Sequence, residues 1–131
     1  MKRRISIFAL FILSFTLLST QCDDDGVMTQ DEDKQALLSL KQDIEALANT
    51  SVCNESTECK FIAFGSKPCG GPWSYLVYSI SIDTDTLEAM VANYNQKEAE
   101  FNGKYGIVSD CAMGTPPSDV TCENNTCVAV Y

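Results

Sequence analysis

Seven cysteines are spread over 131 residues that contain no histidine, and this combination leaves few folds and few chemistries open. Without histidine there is no His-dependent catalytic triad, no imidazole ligand for zinc and no neutral-pH proton shuttle. Cysteine at this density in a short chain points to an oxidising compartment in which thiols pair. Cys22 stands apart from the rest. Cys53, Cys59, Cys69, Cys111, Cys122 and Cys127 form an even set that can pair completely, whereas a seventh member would leave a free thiol. No CxxC pair occurs, and the closest couples, Cys53/Cys59 and Cys122/Cys127, lie in separate segments. Neither a metal site nor a cofactor is expected.

The segment before Cys22 reads as an export leader over residues 1–21. Met1-Lys2-Arg3-Arg4 is a basic head, Ile5 to Leu18 is an apolar run, and Ser19-Thr20-Gln21 is a polar exit. Such a run is short for a bilayer span and suits the core of a secretory signal. Nine Lys+Arg face eighteen Asp+Glu in the whole chain, a formal charge of −9. Three of the nine fall in the leader, so the mature chain carries six cations against eighteen acids, or −12. A surface this acidic repels phosphate backbones, which excludes a nucleic-acid partner.

Leu18-Ser19-Thr20-Gln21-Cys22 resembles the lipobox of bacterial lipoproteins, with Gln21 where a small residue is usual. Asp23-Asp24-Asp25 follows at once, and a cysteine with an acidic cluster is similar to the surface-export signal of Bacteroidota lipoproteins. The resemblance implies lipidation (palmitate and related acyl chains) at Cys22 and a place on the bacterial outer membrane, facing outward. Two or three acyl chains would hold the protein stably, since each buried methylene contributes about 0.8 kcal/mol. Residues 22–28 then form an acidic spacer, and 29–131 a single domain with a helix over about 30–48 and a Cys-rich core over 53–131.

Within that domain, Thr29-Gln30-Asp31-Glu32 fits a capping box, and Leu37, Leu40, Ile44 and Leu47 recur on one helical stripe. The stripe suits either packing on its own domain or a partner-binding, dimerising helix. Phe61 to Phe64 suits a buried strand and Ser74 to Ile82 a longer two-faced one. A second helix is expected from Asp85, with Glu88 as its capping partner and Leu87, Met90, Val91, Tyr94 and Phe101 inward, ending at Asn102-Gly103. Gly106 to Asp110 reads as a short strand, and Val120–Cys122 and Cys127–Tyr131 as a hairpin around the turn Glu123–Thr126. The fold class is α+β: a small disulfide-stapled antiparallel sheet covered by the second helix and preceded by an N-terminal amphipathic helix.

Six cysteines allow fifteen pairings. A local scheme joins Cys122 to Cys127 across the hairpin, Cys53 to Cys59 in a small loop, and Cys69 to Cys111. In the alternative, Cys59 joins Cys127 across neighbouring strands and Cys53 joins Cys122. The local scheme has the shorter loops and is slightly favoured.

The densest candidate site is Gly65-Ser66-Lys67-Pro68-Cys69-Gly70-Gly71-Pro72-Trp73-Ser74-Tyr75. Prolines, glycines and a cysteine fix such a loop, and loops braced on a scaffold commonly bind. Lys67, Trp73 and Tyr75 are the candidate binding residues, for an extracellular protein or a glycan. Lys67 to Ser79, with Ser109-Asp110-Cys111, resembles an uncharacterised family of small secreted or lipid-anchored bacterial proteins, a likeness that spans most of 53–127 and implies no activity. The alternative role is an anchored inhibitor of an extracellular hydrolase acting through the Lys67–Tyr75 loop, which requires Lys67 and Trp73 both to project. An enzyme is not expected: the acid couples Asp83/Asp85 and Glu98/Glu100 suit a helix start and two different helix faces, and Asp83-Thr84-Asp85 lacks the glycine and distal glutamate of a calcium loop.

Overall fold

The computed structural model describes residues 28–131. The leader, the lipidation site Cys22 and the spacer up to residue 27 lie outside the described residues. Helix α1 spans Gln30–Asn49, strand β1 Cys59–Phe64, β2 Ser74–Ser79, helix α2 Thr84–Tyr105, β3 Asp119–Glu123 and β4 Thr126–Val130. The chain is therefore α+β, with three disulfides. Among the described residues no helix is long and apolar enough to cross a membrane.

Helix α1 starts where its local chemistry demands. The Thr29 hydroxyl accepts the Glu32 N–H at 3.3 Å, and the Glu32 carboxylate accepts the Thr29 N–H at 2.7 Å. Two orphan donors are thus satisfied reciprocally. These bonds, the backbone one first, hold the Glu32 carboxyl below the usual range. The apolar stripe of α1 packs inside the domain: Ile44 and Ala48 are buried, with Leu37, Leu40 and Leu47 against them.

Helix α2 departs from expectation at both ends. Its cap is Asp83, not Asp85: one carboxylate oxygen accepts the Thr86 N–H at 3.1 Å and the other the Thr86 hydroxyl at 2.7 Å. Glu88 does not reach back; it accepts the Tyr78 hydroxyl at 2.7 Å. Nor does Asn102-Gly103 stop the helix. Asn102 is buried and its side-chain amide donates to Ser66 O at 2.8 Å, so a tertiary contact holds the last turn in place. The stop is Gly106, left-handed at φ 60°, with its N–H on Asn102 O.

The strands form two antiparallel hairpins, β1–β2 and β3–β4, rather than one continuous sheet. In the first, Lys60, Ile62 and Phe64 stand opposite Tyr78, Leu76 and Ser74, and this face carries the core side chains. Phe64, Tyr78, Leu87, Val91 and Tyr94 meet Ile44 and Ala48 in one cluster beneath the helix pair. On the other face Cys59 reaches over to Cys127 in the second hairpin. Strand β2 ends at Ser79, short of Ile82: the Ser79 N–H turns to the Ser51 hydroxyl, and after a last cross-strand bond from the Ile80 N–H to Glu58 O the chain enters a turn. The β3–β4 turn has two residues, not four: Asn124 and Asn125 both take positive φ, which lets Glu123 and Thr126 pair. Residues 106–110 form no strand; they are part of an irregular return that the Cys69–Cys111 bridge ties down.

The local disulfide scheme is overturned for four cysteines. Cys53 pairs with Cys122 and Cys59 with Cys127, while Cys69–Cys111 is as expected. Cys122 and Cys127 do stand opposite each other in the β3–β4 register. Side chains at such paired positions share a face, but Cys127 bonds to β1 of the first hairpin and Cys122 to the segment between α1 and β1, instead of to each other.

Candidate functional site

The loop between β1 and β2 is held by one face of α2. Asn95, Glu98 and Asn102 recur at spacings of three and four, the period of a helix face. Asn95 accepts the Gly65 N–H at 2.7 Å and donates to Ala63 O at 3.0 Å. Glu98 accepts the Ser66 N–H at 2.5 Å, and Asn102 donates to Ser66 O. The backbone from Ala63 to Ser66 is therefore bolted to the helix through side chains. At the far side of the loop the Trp73 N–H donates to Phe64 O, and the Lys67 N–H to Gly71 O.

Lys67 lies inward. Its ammonium donates to Ala112 O at 2.6 Å, pairs with Asp110 at 3.1 Å and sits 4.9 Å from the Trp73 ring centroid. Only 9% of its side chain is exposed. A lysine that must project into a hydrolase cannot also satisfy these partners, so the loop lacks the outward cation that the inhibitor role requires. Trp73, in contrast, is 45% exposed. Tyr75 is half-buried on the other face of β2, its ring edge-on to Phe61 at 5.7 Å. Of the three candidate binding residues, the structure brings Lys67 and Trp73 into contact and aims Tyr75 elsewhere.

Beside Trp73 lies a cleft of about 320 Å³, lined by Lys41, Phe64, Gly65, Trp73, Ser74, Tyr94 and Glu98. Phe64 and Tyr94 make its aromatic floor, their ring centroids 5.0 Å apart. Gly65 is what lets the tryptophan in: its φ is +85°, and a β-carbon there would lie 2.6 Å from Trp73 Cδ1. Glu98 is fixed through both oxygens, one accepting the Tyr94 hydroxyl at 3.0 Å and the other the Ser66 N–H. Burial, then the Glu98 charge and hydrogen bond, then the charge of Glu45 push the Tyr94 phenol well above its ordinary pKa. It remains neutral and a hydrogen-bond donor throughout the physiological range. Lys41 lies 5.9 Å from the Phe64 ring centroid and 3.9 Å from Glu45.

Of the strand expected to be buried over Phe61–Phe64, Phe64 lies in the core with Ile62 against it, while Phe61 is exposed on the opposite face. Tyr94 faces inward as expected, and Glu98, expected only as one of an acid couple, lines the cleft. The polar recurrence of Asn95, Glu98 and Asn102 within an amphipathic helix was the signal for the cleft, because polar residues at core spacing need partners. The other acids are accounted for locally: Asp83 caps α2, Asp85 lies in its first turn, and Glu100 accepts the Gln96 amide at 2.8 Å. The Sγ atoms of Cys53, Cys59 and Cys127 lie within 4.8 Å of one another, but they belong to two adjacent disulfides and offer no thiolate to a metal.

A wider groove of about 510 Å³ runs along the seam of the two helices, over Leu37, Leu40 and Phe101. Asp33 and Lys104, both in its lining, pair at 2.7 Å. The Trp73 cleft brings three aromatic side chains to Glu98, a carboxylate without a paired cation among the described residues, whereas the groove has one ring, Phe101, and an Asp33 carboxylate already paired with Lys104. In comparisons with known proteins, no family, no curated protein and no solved structure matches this chain.

Proposed function

We propose that this chain is an exported binding module, tethered through a lipidated Cys22 to the outer membrane of a bacterial cell envelope and facing outward, with an extracellular ligand received at the Trp73 cleft. The observation that carries the reading is the cleft itself: a half-exposed tryptophan, the only one in the chain, stands over aromatic side chains and a carboxylate that the scaffold holds in place. A site whose groups are fixed before the ligand arrives spends little of its binding energy on ordering them. Three disulfides suit an oxidising compartment. The basic-then-apolar leader and the Cys22-Asp23-Asp24-Asp25 run support export and anchoring. The acid-rich spacer keeps the domain clear of an anionic membrane surface.

The test is the intact mass of the protein purified from its native host, before and after reduction. The expected product lacks residues 1–21, carries acyl chains on Cys22 and gains the mass of six hydrogens on reduction. A product that keeps its leader, bears no acyl group and shows free thiols would defeat the reading.

A further inference from the structure

From the lining of the Trp73 cleft we infer that it takes a small organic ammonium group. This rests on the proposal that the cleft binds a ligand and specifies which kind. Aromatic rings present a negative face, and ammonium groups over Trp, Tyr or Phe are drawn to it most strongly where water is excluded. Phe64, Trp73 and Tyr94 supply three such rings at one cleft.

The ring chemistry is already in use nearby. The protein's own ammonium groups lie over two of these rings, Lys41 over Phe64 at 5.9 Å and Lys67 over Trp73 at 4.9 Å. Both internal cations are neutralised, Lys41 by Glu45 at 3.9 Å and Lys67 by Asp110 at 3.1 Å. Glu98 is different. Its oxygens accept neutral donors, Tyr94 and Ser66, and among the described residues no cation lies within salt-bridge distance of it. The groups around the cleft, Lys41, Glu45 and Glu98, therefore leave one negative charge unbalanced. An acidic chain also draws cations toward its surface. A volume of about 320 Å³ suits a headgroup-sized ligand and not a long chain.

Because Trp73 is the only tryptophan, its emission reads the cleft directly. The probe is choline chloride, compared with 3,3-dimethylbutanol, its uncharged carbon analogue, and with sodium chloride at equal ionic strength. Choline is expected to give a saturable change that neither control gives. Glu98→Gln should weaken it about tenfold through loss of the charge. Lys41→Met, at a half-buried position of α1 beside the Phe64 ring, should strengthen it by removing a competing ammonium. Phosphatidylcholine vesicles, run beside free choline, distinguish a lipid headgroup from a soluble amine as the source.

No saturable response to choline in either form, from protein whose circular dichroism is native, would overturn the ammonium assignment. So would an equal response to dimethylbutanol, which would leave a cleft that binds by shape and apolar contact alone. The native-host mass is untouched by either result, so export and anchoring stand or fall separately.

Discussion

A single missing methyl group sets the shape of the cleft. Gly65 has φ +85°, and a β-carbon built on it would lie 2.6 Å from Trp73 Cδ1 and 3.0 Å from a Glu98 oxygen. Alanine would meet two penalties at once, a backbone conformation that L-residues avoid and a collision with a ring held by the Trp73 N–H on Phe64 O. Gly65→Ala is expected to lower unfolding free energy by about 2–4 kcal/mol in urea titration and to shift Trp73 emission in the native state. A loss under 0.5 kcal/mol with unchanged emission would mean that the loop relaxes freely. Gly65 and Trp73 could both be singled out from the sequence, yet not their contact. Lys67 shows the limit more sharply. Its oddity as a cation beside a braced loop was legible, but its partners Asp110 and Ala112 lie 43 and 45 residues away. Nothing local in Lys67-Pro68-Cys69 says whether the ammonium points out or in.

Between the helices the informative feature is the clasp of Asp33 on α1 with Lys104 and Tyr105 on α2, at 2.7 Å to each. The Lys104 bond, then that of Tyr105, holds the Asp33 carboxyl below the usual aspartate range, and Asp33 in turn raises Lys104. The lowered acid contributes stability that is present above its unfolded value, about 3.9, and lost as pH falls through its lower folded value. The raised base contributes below about 10.4, and that is lost as pH rises through its higher folded value. Asp33→Asn should therefore melt at a lower temperature than the parent across neutral pH. The gap should narrow only as pH falls below the unfolded value, about 3.9, and close once it has passed through the lower folded one, where the parent carboxylate is also protonated. A gap independent of pH would assign the effect to packing. At this scale the sequence was most legible where chemistry is local, as in the Thr29–Glu32 box. It failed where a distant group intervened. Asn102 looks like a helix stop until Ser66 O engages its amide, and Glu88 looks like a cap until Tyr78 claims it.

For the molecule as a whole, disulfides decide how the pieces hold together. The two hairpins share no sheet; Cys59–Cys127 joins them directly and Cys53–Cys122 ties the second one to the segment between α1 and β1, with sequence separations of 68 and 69. Closing loops of that length restricts the unfolded chain by about 4.4 kcal/mol each, against about 2 kcal/mol for the short loops of the local scheme. Proximity in sequence favoured the local bonds, and the side chains at the β3–β4 pair face the other hairpin. Exposure separates the bridges further. Cys69 and Cys111 lie on the surface, whereas Cys53 is 2% exposed. Limited reduction followed by alkylation and peptide mapping is expected to label Cys69 and Cys111 first, with the hairpin bridges still closed. Early label on Cys53 would show that the core opens before the loop does.

The sulfurs of Cys53, Cys59 and Cys127 crowd within 4.8 Å, and Cys122 is bonded to the first of them. A thiolate freed at any one of these positions has a neighbouring bridge within reach, and each attack swaps partners at no net change in oxidation state. Maturation of this chain is thus open to shuffling toward the two short rings that would let the hairpins drift apart. A host that makes it in quantity would benefit from a proofreading isomerase, and refolding in a glutathione redox buffer should outperform simple air oxidation.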